Sequence, residues 1–126
     1  MAENTTNPSH WFEIPVNDLA RASAFYAAVV GAELRPVHQG EYRMAWFAGD
    51  FGAQGSVGAL IHGPGRSPGK SSAMVYLTVP DVDQALETVR QHGGSVVMPT
   101  TRGEFGAIAH FEDSERNVVV LFSFPA

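Results

Sequence analysis

The chain has 126 residues, of which 44% are hydrophobic and 17% charged, and it contains no cysteine. This length suffices for one hydrophobic core and is too short for two domains of ordinary size. The lack of cysteine excludes thiolate nucleophiles, cysteine-ligated zinc and iron–sulfur clusters. The formal net charge of -5, with no cluster of lysine or arginine, argues against a nucleic-acid partner. A basic or neutral small molecule is the expected partner.

The N-terminal residues 1–9 carry neither a positive segment nor an apolar segment, so they are unlike a secretory signal. We expect them to form a short disordered tail. No apolar stretch approaches the roughly 18 to 20 residues that a membrane span requires. These features predict a cytoplasmic protein that contacts no membrane.

The first half of the chain is typical of one strand, one helix and three further strands. Residues 11–16 alternate between apolar and other side chains, which indicates a half-buried strand. Asp18 is a suitable N-cap, and Gly31 is suited to end an amphipathic helix in a left-handed conformation. Three strands are predicted in the segments 33–38, 41–47 and 56–62.

The second half repeats this pattern after a segment rich in glycine and proline, 63–72, which predicts a linker. A strand is predicted over 73–79. Asp81 is the next N-cap, with Gln84 in the position of a capping box, and a Gly-Gly pair ends the helix. Residues 113–117 are expected to form a solvated turn. Three more strands are predicted at 95–100, 107–112 and 118–124.

Three pairs of landmarks are separated by the same interval of 63 residues. A duplicated βαβββ unit explains this interval economically. The first copy is assigned to 10–62 and the second to 73–126, which together make one α+β domain. The three pairs are Asp18 and Asp81, Gly31 and Gly94, and Asp50 and Asp113.

Motifs in both halves resemble those of a known superfamily. Residues 11–18 (WFEIPVND) and 25–26 (FY) are similar to the opening of a vicinal oxygen chelate protein, the superfamily of glyoxalase I, bleomycin-resistance proteins and extradiol dioxygenases. Residues 79–83 (VPDVD) and 111–117 (FEDSERN) resemble its second module, although Arg116 stands where the superfamily usually has glycine. The opening string also resembles a bacterial group of predicted relatives of lactoylglutathione lyase.

The resemblance implies that the two modules form a curled mixed sheet, an open cup with the helices outside, and usually a homodimer. Phe12, Ile14 and Val16 would then pack on the helices. Aromatic walls from Tyr42 and Phe47 would suit flat or cationic ligands, although such residues are also common in an ordinary core. The residues expected to contact a small-molecule ligand are Trp11, Glu13, Trp46, Met74, Tyr76 and Val120.

The resemblance also implies four positions at which His and Glu side chains hold a divalent metal ion. Trp11, Met74 and Val120 stand at three of them, and the fourth falls within 57–61, which contains no His, Asp or Glu. We therefore expect the usual metal site to be absent and no cofactor to be bound.

Three histidines are weak candidates for a relocated metal site. His10 is one residue from a ligand position and would face the opposite side of its strand. His62 borders the linker, and His110 lies in the middle of a strand. Because none has the spacing that places two ligands on one face, a structural role is favoured for all three.

Glu13 is the candidate catalytic residue. A carboxylate on an otherwise apolar strand face pairs with an arginine such as Arg43, binds a cation, or acts as an acid or base. The favoured hypothesis is metal-free binding of a small molecule in the cup. The alternatives are a lyase, isomerase or dioxygenase with relocated ligands or a Glu13 base, and an interaction domain whose cup is filled by its own side chains.

Overall fold

The structure, a computed structural model, describes residues 7–126, so most of the predicted tail lies outside the described residues. Both halves of the described chain have the order βαβββ, as the duplication predicts. The first half contains β1 (Trp11–Pro15), α1 (Leu19–Val30), β2 (Leu34–Gln39), β3 (Tyr42–Phe47) and β4 (Val57–His62). The second contains β5 (Tyr76–Thr78), α2 (Val82–Gln91), β6 (Ser95–Gly103), β7 (Gly106–Glu112) and β8 (Val118–Ser123).

Each half folds into one four-stranded mixed sheet with the same topology. The strand orders are β1-β4-β3-β2 and β5-β8-β7-β6, and in both sheets the first strand runs parallel to the last. The remaining neighbours are antiparallel. The predicted α+β fold of two βαβββ modules is confirmed. Within the described residues, neither helix is both long enough and apolar enough to span a membrane.

Both helices begin where the sequence predicts. Asp18 accepts a hydrogen bond from the Arg21 backbone amide at 3.0 Å, and Asp81 accepts one from the Gln84 amide at 3.2 Å. These carboxylates satisfy amides that have no partner within the first turn. Gly31 ends α1 with φ 74°, a left-handed conformation that costs glycine little.

The two helices pack against one face of each sheet, and both modules share one continuous hydrophobic core. Ile14 and Val16 from the first module and Leu77 and Val79 from the second lie in it, with Phe12 packed against it. Phe12, Ile14 and Val16 therefore face the helices, as the sequence predicts. In the described part of the chain no helix covers the opposite face of either sheet, which we call the open face.

Two strands of the second module differ from their predicted lengths. The strand predicted over 73–79 shortens to β5, although the Val75 carbonyl and the Val79 amide still bond to β8. In contrast, β6 extends beyond residue 100, because its pairing with β7 continues past two shifts in register around Met98. Such bulges accommodate Pro99, which has no amide hydrogen to donate.

The turn between β7 and β8 is buried, so the prediction of a solvated turn is wrong. Asp113 and Glu115 are only 1% and 3% exposed. Asp113 accepts a hydrogen bond from the Tyr26 hydroxyl at 2.6 Å and three more from its own turn, two from backbone amides and one from the Asn117 side chain. We call residues 113–117 the clasp, because they join the second module to α1 of the first.

Glu115 binds the chain just before α1. Its carboxylate accepts hydrogen bonds from the backbone amides of Asn17 and Asp18, both at 2.9 Å, and from Arg21 Nε at 2.7 Å. Asn117 completes the clasp by donating to the Pro15 carbonyl at 2.8 Å. An anion at this position also interacts favourably with the dipole of α1.

The contacts of Glu115 make the stability of the fold depend on pH. Burial by itself raises the pKa of Glu115, but the hydrogen bonds from Arg21, Asp18, Ser114 and Asn17 outweigh burial and lower the pKa from 4.5 to about 2. Because the folded-state pKa lies below the unfolded-state pKa, ionised Glu115 stabilises the fold above the unfolded value. This stabilisation is lost as the pH falls towards the folded value.

We expect Glu115→Gln to lower the free energy of unfolding by about 2 kcal/mol at neutral pH, because two amides and Arg21 lose a charged acceptor. The free energy of unfolding of the variant should also lack the pH dependence that Glu115 contributes between pH values of about 4.5 and about 2. Urea unfolding across this range measures both effects. Glu87→Gln is the matched control, since Glu87 forms an exposed ion pair with Arg90 on α2. Equal acid sensitivity in wild type and Glu115→Gln would contradict the assignment.

Arg116 in the clasp has φ 74°, a left-handed backbone that is unfavourable for a residue with a side chain. Its ion pair with Glu112 joins an arginine that is 83% exposed to a carboxylate that is 25% exposed, and therefore offsets little of this strain. We expect Arg116→Gly to raise the free energy of unfolding by roughly 0.5 to 1 kcal/mol. Arg116→Ala, which keeps the strain, should give no increase in urea unfolding. A gain of equal size in both variants would disprove the explanation.

Candidate functional site

The open face of the first sheet carries a cluster of aromatic rings. The centroids of Trp11 and Trp46 lie 5.0 Å apart in an edge-to-face arrangement, and Phe51 stacks on Trp11 at 6.2 Å. His10 stacks in turn on Phe51 at 5.8 Å. We call Trp11, Trp46 and Phe51 the aromatic cluster. It contains both tryptophans of the chain.

Strand register brings the two tryptophans together. Trp11 pairs with Val57 and Trp46 pairs with Ala59 on the central strand β4, so both indoles project from the same face. The small side chain of Ala59 leaves room for the rings above it. Phe51 comes from the glycine-rich loop after β3 and is 60% exposed, so part of the cluster is open to solvent.

Glu13 lies beside the cluster, with one hydrogen bond to each carboxylate oxygen. Trp11 Nε1 donates to Oε2 at 3.1 Å, and Arg66 Nη1 donates to Oε1 at 2.5 Å. The arginine that pairs with Glu13 is therefore Arg66. The suggestion of Arg43 is wrong, because Arg43 pairs in register with His62 and faces the other side of β3.

Arg66 reaches Glu13 from an ordered turn at the start of the linker. Residues 63 and 66 form an isolated β-bridge, and the Tyr42 hydroxyl donates to the Pro64 carbonyl at 3.0 Å. The Arg66 guanidinium lies 5.7 Å from the centroid of the Tyr42 ring. Gly63 is required here, since a Cβ at this residue would lie 2.4 Å from that ring.

Two cavities are each lined by all three rings of the aromatic cluster. The larger, about 720 Å³, lies where β1 begins and β3 ends, and Arg35 stands 5.7 Å over the Trp46 ring at its edge. Trp46 Nε1 is buried and has no hydrogen-bond partner among residues 7–126. The smaller, about 230 Å³, is lined by His10, Trp11, Glu13, Gln39, Met44, Trp46 and Phe51.

The structure brings together half of the residues predicted to contact a ligand. Trp11, Glu13 and Trp46 all line the smaller cavity, which contains no residue of the second module. Tyr76 is 58% exposed on the second sheet, and its register partner Val120 is fully buried. Met74 precedes β5 and lies outside the strand. Phe47, expected in an aromatic wall, packs against the shared core and also lines the 720 Å³ cavity.

The three candidate histidines lie in different environments. His62 Nδ1 donates to the Val16 carbonyl at 3.0 Å, whereas His10 stacks on Phe51. His110 is the register partner of Val120 on the second sheet. In the described range, no three His, Cys, Asp or Glu side chains lie close enough to hold a metal ion. Trp11, Met74 and Val120, which stand at the ligand positions that the resemblance implies, do not fit a metal either.

Sequence reasoning missed three residues of the site. Phe51 and Arg66 stand in segments rich in glycine, where no periodic pattern indicates which side of the sheet a side chain faces. Arg35 lies on β2 at the register position of Trp46. The alternation along β2 and β3 was the signal for Arg35, whereas the positions of the other two depend on loop conformation.

Comparison with known proteins agrees with this fold. The family model of the glyoxalase/bleomycin resistance protein/dioxygenase superfamily matches residues 9–121. The chain belongs to this superfamily, which confirms the family that the sequence motifs indicate. No curated protein matches the chain in sequence.

Several solved structures share the fold at low sequence identity. A mutant of glyoxalase I from Zea mays has a TM-score of 0.70 and 24% identity over 92% of this chain, which spans only 46% of the maize protein. TnmS3, an antibiotic-binding protein from Streptomyces, has a TM-score of 0.66 and 23% identity over 97% of this chain and 99% of its own. A glyoxalase/bleomycin resistance protein from Albidiferax ferrireducens has a TM-score of 0.71 and 13% identity, covering 94% of this chain and 100% of its own.

Proposed function

We propose that the protein binds a small molecule with a flat apolar group on the open face of the first sheet. The aromatic cluster beside the 720 Å³ cavity carries this proposal. Two indoles and a largely exposed phenyl ring offer stacking surfaces, and burying them under a ligand removes apolar area from water. Ligand cavities in proteins commonly have this size and lining.

A relative of nearly equal length supports binding over catalysis. TnmS3 is described as an antibiotic-binding protein, and 99% of its chain aligns with this fold. At 23% identity the likeness does not identify the ligand of this chain. The enzymatic alternatives, including one related to lactoylglutathione lyase and one with Glu13 as the base, stay predictions.

The proposal includes binding without a metal ion, because the side chains at the ligand positions that the resemblance implies are not metal ligands.

We also propose that the protein is a cytoplasmic homodimer. Exposed apolar residues on the second sheet support a contact between two copies. Tyr76 and Met98 are 58% and 44% exposed and share one face of this sheet with His110. A second copy would cover this face.

We expect the flat neutral probe naphthamide to bind at the aromatic cluster, with changes in both indole N–H resonances in nitrogen-labelled protein. Phe51→Ala should weaken this binding about tenfold, because it removes a stacking ring. Phe124→Ala is the matched control, since Phe124 is 71% exposed and lies outside the cluster. Binding that is unaffected by Phe51→Ala, or absent in wild type, would contradict the proposed site.

We further expect that protein purified without a histidine tag contains far less than one equivalent of nickel, manganese, iron or zinc by elemental analysis. Naphthamide binding should be unchanged after treatment with a chelator. Removing His10, His62 and His110 together tests for a relocated site and should leave the metal content unchanged. Stoichiometric metal in the wild-type protein would overturn metal-free binding, and its loss in the triple variant would assign the site to these histidines.

A further inference from the structure

We propose that Glu13, Tyr42 and Trp11 form a site for an organic cation, and that Arg66 of the same chain occupies this site until such a ligand displaces it. The class of ligand is a guanidinium, amidinium or ammonium group attached to a flat apolar body. This inference rests on the proposed function, because the flat body would lie on the aromatic cluster. Arg66 would then act as an internal competitor.

The guanidinium of Arg66 defines the chemistry that this site recognises. It donates to Glu13 Oε1 and lies 5.7 Å from the Tyr42 ring centroid, so it has a carboxylate partner and an aromatic face. Carboxylates and aromatic ring faces both bind organic cations in proteins. A ligand cation at the same position would form the same two contacts.

Glu13 and Tyr42, which would bind the cation, are held in place by contacts that do not involve the Arg66 side chain. Trp11 Nε1 donates a hydrogen bond to the second carboxylate oxygen of Glu13 at 3.1 Å. The Tyr42 ring is fixed by its hydroxyl bond to Pro64 and by its packing on the backbone of Gly63. The site therefore keeps its geometry when the arginine side chain leaves, which favours binding of a replacement.

The ion pair of Arg66 is partly open to water. The side chains of Arg66 and Glu13 are 39% and 24% exposed, so water can hydrate the guanidinium when it leaves the carboxylate. The ion pair between Arg21 and Glu115 is a contrast within the same chain, since the Glu115 side chain is fully buried and also binds two backbone amides. Of these two pairs, the one between Arg66 and Glu13 is the better suited to exchange.

The position of the pair connects it to the proposed ligand site. Glu13 lines the 230 Å³ cavity together with both tryptophans, so a ligand on the indoles extends directly to the carboxylate. Glu13 also borders a second cavity of about 370 Å³ along the linker, which offers space for the displaced Arg66 side chain. The net charge of -5 further favours the approach of a cation.

The experiment compares naphthamidine, a flat cation, with naphthamide, its neutral counterpart, by titration of the two indole N–H resonances. We expect Arg66→Gln to bind naphthamidine about fivefold more tightly than wild type, because the internal competitor is gone. The affinity for naphthamide should be unchanged. Arg43→Gln removes the same charge from the opposite side of the sheet and should match wild type with both probes.

A double variant tests whether Glu13 is the shared partner. In a Glu13→Gln background, the removal of Arg66 should no longer improve naphthamidine binding. If Arg66→Gln raises the affinity for both probes equally, or for neither, the displacement of Arg66 by a cation is wrong. The proposed function would still hold in that case, provided that naphthamide binds. If neither probe shifts the indole resonances in any variant, both proposals are wrong.

Discussion

The buried carboxylates of Asp113 and Glu115 hold the two modules in one arrangement. Each module has a helix on one side of its sheet, and the shared core alone would allow the modules to slide, because apolar contact is not directional. The clasp removes this freedom, since Glu115 matches two specific amides and Arg21 while Asp113 matches the Tyr26 hydroxyl. Hydrogen bonds to charged groups fix geometry at the junction.

The fold could be predicted from the sequence because its signals are local and repeated. Alternation along β1 assigned Ile14 and Val16 to the core, and the caps at Asp18 and Asp81 set the helix starts. The clasp could not be predicted in this way. A run such as Asp-Ser-Glu-Arg-Asn indicates a solvated turn unless its partners are known, and those partners lie 87 to 102 residues away in the chain.

The candidate site was predicted only where it depends on strand register. Trp11, Glu13 and Trp46 share a face because side chains alternate along β1 and β3, and that alternation is visible in the sequence. Arg66 and Phe51 reach the same face from glycine-rich segments, whose backbone conformations the sequence leaves open. The fold supplied the platform, and the loops supplied the residues that give this face its particular chemistry.

The packing of the Tyr42 ring on Gly63 couples two positions that are far apart in the sequence. A side chain at position 63 would clash with the Tyr42 ring in its present orientation, because the nearest ring atom lies 2.4 Å from where a Cβ would be. Relatives that have lost the aromatic residue at 42 are therefore free to lose the glycine at 63. Those that keep the ring in this orientation need the glycine, so the two positions should change together during evolution.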